Sequence, residues 1–413
     1  MWDILRDYRK LQKSVLMAIT GEFCIQMINV SFLVIQPLFM KEEGYSDGLI
    51  AGFTSLRFLG VLCLAFPLGL IIKGRKLKNI FYTAGFSVPT FALLIIFAIS
   101  QHIIWLLYVS QFLWGVSLTL IQIPVLPYIL RNEKKQFQTE AIALSYSTGS
   151  FAGVLSGFMI AAFSKINPTY FNEKTMLTII SFMGFLSLFF IHKINKDEII
   201  QRSTKKRMDL SDFDWGIIMK ALFPTLIIAV GAGLTIPFIS LFFASVHHMS
   251  TGNFAFMSSI AAILVAIGAI SVPKIKKKFG YQIAIPTTQS LAVIALILLA
   301  TTQYYSMFTF AIYIAVGCYL LRQPLMNMAG PMTSELVMNY VGKRNQEIIS
   351  ALTSAIWSGS WFFSALIFKV LRDDGFPYVN VFLITAALYA VGVIWYYFLI
   401  LDYNKREKLG LID

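Results

Sequence analysis

Twelve times along this chain a run of mostly apolar residues is followed by a short polar break, and this repetition limits the fold more than any other feature. A run of about 20 apolar residues coiled at about 1.5 Å per residue spans the hydrocarbon layer of a bilayer. Lipid offers no partner to a backbone N–H or C=O, so each run must close its hydrogen bonds internally as a helix. The runs lie near Val15–Met40, Gly48–Ile72, Phe81–Ser100, Ile103–Leu130, Ala141–Ser164, Thr175–Ile191, Ala221–Val246, Phe254–Val272, Ile283–Thr302, Ser306–Gly330, Ile348–Phe368 and Val379–Leu401. Only 13% of the residues are charged, against about 25% in a soluble domain. The expectation is an all-α, multi-pass membrane protein with no separate soluble domain.

The net charge of +13 raises the question of nucleic acid. The positions of the charges answer it: 26 of the 34 lysines and arginines fall in the two termini and in alternate loops. The opposite side holds Lys41, Lys165, Lys174, Lys369 and Arg372. The positive-inside rule therefore puts both termini and the long middle loop in the cytoplasm, and places the chain in the inner (plasma) membrane. The basic excess is topological, and no nucleic-acid partner is expected. Met1 to Lys13 lacks the apolar core and cleavage site of a removable signal peptide. Cys24, Cys63 and Cys318 lie in apolar runs without ligand spacing and read as buried, reduced thiols.

The polar segment 193–216 divides the chain into a first six-helix bundle, residues 1–192, and a second, residues 217–413. The two halves align. Ser46-Asp-Gly before span two matches Ser250-Thr-Gly before span eight at an offset of 204 residues, which sets Lys73 opposite Lys277. Trp114-Gly115 matches Val316-Gly317 at an offset of 202. Two parallel six-helix repeats, related by a pseudo-two-fold axis, place a solute site near the midplane between them.

After span eight the chain reads Pro273-Lys-Ile-Lys-Lys-Lys-Phe-Gly280-Tyr281, and after span two Gly69-Leu-Ile-Ile-Lys-Gly74-Arg75-Lys76. With the twelve spans and the repeat, these loops resemble the major facilitator superfamily over essentially the whole chain. The loop after span two lacks the acidic residue of that family's motif. Gly149, Gly153 and Gly157 of span five resemble the family's antiporter motif, with Val154 in place of its proline. Close helix packing by small residues accounts for the same spacing. The exporters' span-four arginine is replaced by Gln111, four residues before Gly115. The resemblance implies a two-bundle transporter of the major facilitator fold, working by alternating access without a cofactor, as a monomer, and not as an enzyme.

Three ionisable side chains lie well inside apolar runs: Glu22, Arg57 and Arg322. A buried arginine costs at least ~2.5–3.5 kcal/mol on insertion scales, so each must face a cavity or a partner. By helical rise, Glu22 and Arg322 lie roughly 25 Å below the outer ends of their spans, and Arg57 about 13 Å. Glu22 and Arg322 are therefore expected to form a proton-coupling pair; a static buried pair is the alternative. Guanidinium groups also suit carboxylate and phosphate, which makes Arg57 and Arg322 candidates for an anionic substrate. Asn29, Gln36, Gln111, Gln122, Gln323 and Asn327 complete the candidate substrate-binding set, and Glu22, Gln26, Asn29 and Gln36 form one polar stripe along span one.

Glu133 and Glu335 occupy equivalent positions after spans four and ten, and with Arg75, Lys277 and Lys278 form a candidate gate. Gly231, Gly233 and Pro237 mark span seven as a helix that bends. His247-His248 lacks a third ligand, so no metal is expected. No phosphate loop or nucleophile elbow is visible. The expected function is proton-coupled secondary transport of a small organic solute, with export favoured and with membrane lipids as surroundings. The alternatives are uptake or exchange of an organic anion at Arg57 and Arg322, a non-transporting sensor, and a lipid or lysolipid flippase.

Overall fold

The computed structural model describes residues 11–72, 75–134, 137–194, 214–342 and 346–409. Among these the regular structure is helical, with no strand. The first half comprises α1 (Lys13–Glu42), α2 (Asp47–Ile71), α3 (Lys78–Ser100), α4 (Ile104–Gln122), α5 (Val125–Asn132), α6 (Gln138–Ile166), α7 (Glu173–Gly184) and α8 (Leu186–His192). The second comprises α9 (Trp215–Thr235), α10 (Ile239–His247), α11 (Thr251–Thr301), α12 (Phe310–Val341), α13 (Gln346–Asp373) and α14 (Tyr378–Lys408).

Several expected spans are built from two helices, and the breaks have local causes. Span four divides into α4 and α5 at Ile123-Pro124, where proline brings no N–H to the ladder. Span seven divides into α9 and α10 around a 3-10 turn, Ile236–Phe238, that contains Pro237. The 51 residues of α11 join spans eight and nine across Gly280, whose φ of 66° and ψ of 177° are open to glycine and strained for other residues. Among the described residues, eleven helical segments are long and apolar enough to cross a membrane. The tenth expected span, within α12, falls outside that set because it carries Arg322, Gln323, Pro324 and Asn327. Of the cysteines, Cys24 is buried, Cys318 is half-buried and Cys63 is exposed, which corrects the expectation of three buried thiols.

The chain forms two compact units. One comprises residues 1–45, 56–206 and 251–256, the other residues 46–55, 207–250 and 257–413. Most of the expected 193–216 linker lies outside the described residues. In the first unit α1 packs against α6, α7 and α8, and α3 against α4. Two glycines bring α2 and α4 into backbone contact: a Cβ on Gly60 would stand 2.2 Å from the Phe112 carbonyl oxygen, and one on Gly115 2.0 Å from that of Arg57. In the second unit α9 packs against α13 and α14. Gly231 lies under the Tyr389 ring at 2.9 Å and Gly233 against Ser364 at 2.7 Å, both measured from a Cβ built on the glycine. Each glycine thus removes a side chain where a neighbouring helix must come close.

Candidate functional site

The polar interior of the first unit is assembled from α1, α2, α4 and α6. The helical spacing of Gln26 and Asn29 lets Asn29 Nδ2 donate to Gln26 Oε1 at 2.7 Å. This leaves Asn29 Oδ1 to accept from an Arg57 guanidinium nitrogen. Arg57 is 9% exposed, and its guanidinium carbon lies 4.6 Å from the Trp114 ring centre and 5.5 Å from that of Phe58. Trp114, fully buried, also meets Phe32 at 4.8 Å. An aromatic face and an amide oxygen therefore take up part of the charge. Among the described residues, Arg57 has no ion pair with a carboxylate. Lower on α1, Glu22 is 6% exposed and accepts from Ser145 Oγ at 2.7 Å.

In the second unit Arg322 is 1% exposed. Its Nη2 donates to the Tyr389 hydroxyl at 3.2 Å, and its Nε has no partner among the described residues. Gly231 of α9 makes room for the Tyr389 ring, so the glycine expected to confer bending also seats the partner of the arginine. Thr385, one turn before Tyr389 on α14, accepts from Thr235 at 2.8 Å and ties the same two helices.

The remaining candidates are distributed more widely. Gln111 is 1% exposed with both amide atoms unpartnered among the described residues, and Gln36 is 5% exposed with Nε2 reaching the Met40 sulfur at 3.8 Å. Gln122 and Asn327 are exposed, and Asn327 Nδ2 donates to the Gln323 carbonyl at 2.8 Å. Gly149 has no heavy atom within 4 Å of a built Cβ, so it makes no close packing contact. Around the candidate gate, Glu335 pairs with Lys276 at 2.5 Å, in place of the expected Lys277 or Lys278. Glu133 accepts from the Gln12 backbone N–H at 2.9 Å, and Arg131 donates to the Arg75 and Ile72 carbonyls at 3.1 and 3.2 Å. Lys276 sits one residue before the expected lysines, a difference that helix rotation decides and composition does not record.

Sequence reasoning missed one cluster in the second unit. Asp47 Oδ2 accepts from Arg372 Nε at 3.1 Å, from Arg372 Nη2 at 2.8 Å and from the Tyr378 hydroxyl at 2.6 Å, while the Arg372 guanidinium lies 4.1 Å from the Tyr378 ring centre. A Cβ on Gly48 would stand 1.8 Å from the Asp373 carboxylate, so glycine lets the first turn of α2 approach α13. The only signal in the sequence was an aspartate in the first turn of a span, where the helix dipole favours it.

Among curated proteins, no relative matches this chain. Solved structures do. A D-xylose–proton symporter is 12% identical with a TM-score of 0.76, over 93% of this chain and 97% of its own. The nucleoside transporter NupG is 12% identical with a TM-score of 0.73, over 94% of this chain and 99% of its own. A bacterial homologue of the iron transporter ferroportin, in an inward-facing state, is 13% identical with a TM-score of 0.70, over 93% and 97%. At such identities the likeness is one of fold. The family model of the Major Facilitator Superfamily matches residues 18–365. With the twelve-span pattern and the helical structure in place, that match covers most of the sequence, and the chain belongs to the major facilitator superfamily.

Proposed function

We propose that this transporter moves a small organic anion across the cytoplasmic membrane by alternating access, with a proton carried on Glu22. The observation that supports the anion is Arg57: a guanidinium nine-tenths buried, held by Asn29, stacked on Trp114 and lacking a carboxylate ion pair among the described residues. A buried charge without a counter-charge is costly, and a carboxylate or phosphate on the solute supplies one in bidentate geometry. Arg322, whose Nε has no partner among the described residues, offers the same chemistry in the second unit.

Glu22 supports proton coupling because its one hydroxyl partner, Ser145, serves either a carboxylate or a carboxylic acid. In this proposal Glu22 takes up a proton in one state of the cycle and releases it in another. Export is the proposed direction, on the strength of Gly149, Gly153 and Gly157. The protein works as a monomer with both termini in the cytoplasm, without a cofactor and without catalysing a covalent reaction.

The test is ligand-induced thermal stabilisation of the purified protein across organic anions, cations and neutral solutes, repeated with Arg57→Ala, Arg322→Ala and Glu22→Gln. Stabilisation by anions that Arg57→Ala abolishes supports the reading. Stabilisation confined to cations and lost in Glu22→Gln overturns it.

A further inference from the structure

One buried side-chain amide in the first unit is left unused by the packing among the described residues. Gln111 is 1% exposed, and neither its Nε2 nor its Oε1 has a partner among the described residues. An amide can offer two donors and one acceptor, and native interiors rarely leave all of them empty. Its place on α4 shows what it faces. It lies three residues before Trp114 and four before Gly115, and so on the same helical face. Trp114 is the residue stacked by Arg57, and Gly115 abuts the Arg57 backbone oxygen.

The Phe32–Trp114 contact fixes the register of α1 against α4. One turn from that contact toward the Glu42 end of α1 come Gln36 on α1 and Gln111 on α4, because the two helices run in opposite senses. Gln36 is 5% exposed, and its Nε2 has found only the Met40 sulfur, a weak acceptor, at 3.8 Å. Two under-satisfied amides therefore stand about one helical turn, ~5.4 Å, from the level of Trp114, and Gln36 stands about two turns, ~10.5 Å, along α1 from Asn29, the hydrogen-bond partner of the guanidinium.

Resting on the anion reading of Arg57, we propose that Gln111, with Gln36 at the same level on α1, is a specificity-determining residue that recognises a second group on the solute, one that both donates and accepts hydrogen bonds, as a carboxamide does. The solute class is then a short carboxylate carrying an uncharged amide-like group at its far end. Such a solute gives Arg57 its counter-ion and gives Gln111 a complementary amide. A site built this way discriminates against an analogue that lacks the polar group, because binding it leaves the protein amide unpaired.

Succinamate, levulinate and valerate test this on the purified full-length protein by thermal stabilisation and mutual competition. All three share the carboxylate; levulinate replaces the amide nitrogen by methyl, and valerate removes both polar atoms. The expected result is a preference for succinamate of about tenfold or more, the effect of one to two hydrogen bonds. Gln111→Leu should bring the three near parity while keeping the valerate response, and Arg57→Ala should abolish all three. If Gln111→Leu does not fold, Gln111→Met, which cannot donate, takes its place. Equal binding of the three by the unmodified protein, or a preference that survives loss of the amide, overturns the Gln111 assignment and leaves the anion reading standing. No response to any carboxylate overturns the anion reading and this inference with it.

Discussion

The Arg57 guanidinium lies 4.6 Å from the Trp114 ring centre while one of its nitrogens reaches Asn29 Oδ1, so three helices of the first unit meet at one buried charge. The indole covers one face of the charge, and Asn29 takes one of its donors.

Trp114→Ala should remove both the packing and the cation–π contact. A fully buried Trp replaced by Ala loses about 3–5 kcal/mol of stability, and the stacking of a desolvated cation contributes about 2 kcal/mol or more. Unfolding in detergent should show a large loss for Trp114→Ala and a smaller one for Trp114→Phe, which keeps an aromatic face. An unchanged Trp114→Ala midpoint would mean that the cluster does not hold the helices.

Gly115 and Gly149, both on helices of the first unit, should respond differently to the same added methyl. Gly115→Ala places a Cβ 2.0 Å from a backbone oxygen, an overlap that a side-chain rotation cannot relieve. We expect a loss of about 1–3 kcal/mol or more, seen as a lowered unfolding temperature or a poor yield of monodisperse protein. Gly149→Ala, with no atom within 4 Å of the new methyl, should stay within about 0.5 kcal/mol of the unmodified protein.

Two ion pairs in the second unit have very different surroundings. The side chains of Asp47 and Arg372 are 6% and 18% exposed, whereas those of Lys276 and Glu335 are 34% and 47% exposed. Asp47→Asn leaves Arg372 without its counter-charge and should cost about 3 kcal/mol, lowering the unfolding temperature clearly. Lys276→Ala should cost less than about 1 kcal/mol. Equal effects would show that burial does not set the strength of these pairs.

Glu22→Gln preserves the shape of the side chain and its hydrogen bond with Ser145 but cannot exchange a proton. In proteoliposomes the variant should fold and carry out solute–solute exchange, yet lose accumulation driven by a pH gradient. Retained gradient-driven accumulation would move the proton site elsewhere.

Much of the fold was legible in the sequence because a bilayer allows so few structures. Apolar runs of spanning length must be helices, and Pro237 marked the broken span seven. Candidate residues were legible as types for the same reason: a charge such as Glu22, Arg57 or Arg322 within an apolar run stands out wherever the chain folds. Their partners were not. Asn29 lies 28 residues from Arg57, and Asp47 lies 325 from Arg372. Periodicity describes one helix at a time and says nothing about which faces of two helices meet.

By itself, then, the sequence determined that this protein is a set of membrane-spanning helices in a repeated order with three charges well inside apolar runs, because lipid leaves backbone and charge few alternatives. The tertiary structure alone decided that Arg57 stacks on Trp114, that Glu335 takes Lys276 and that Gln111 is left unpaired among the described residues. The physical reason is that these depend on the rotation and approach of neighbouring helices, which close contacts such as those at Gly60, Gly115 and Gly231 set, and which no single segment encodes.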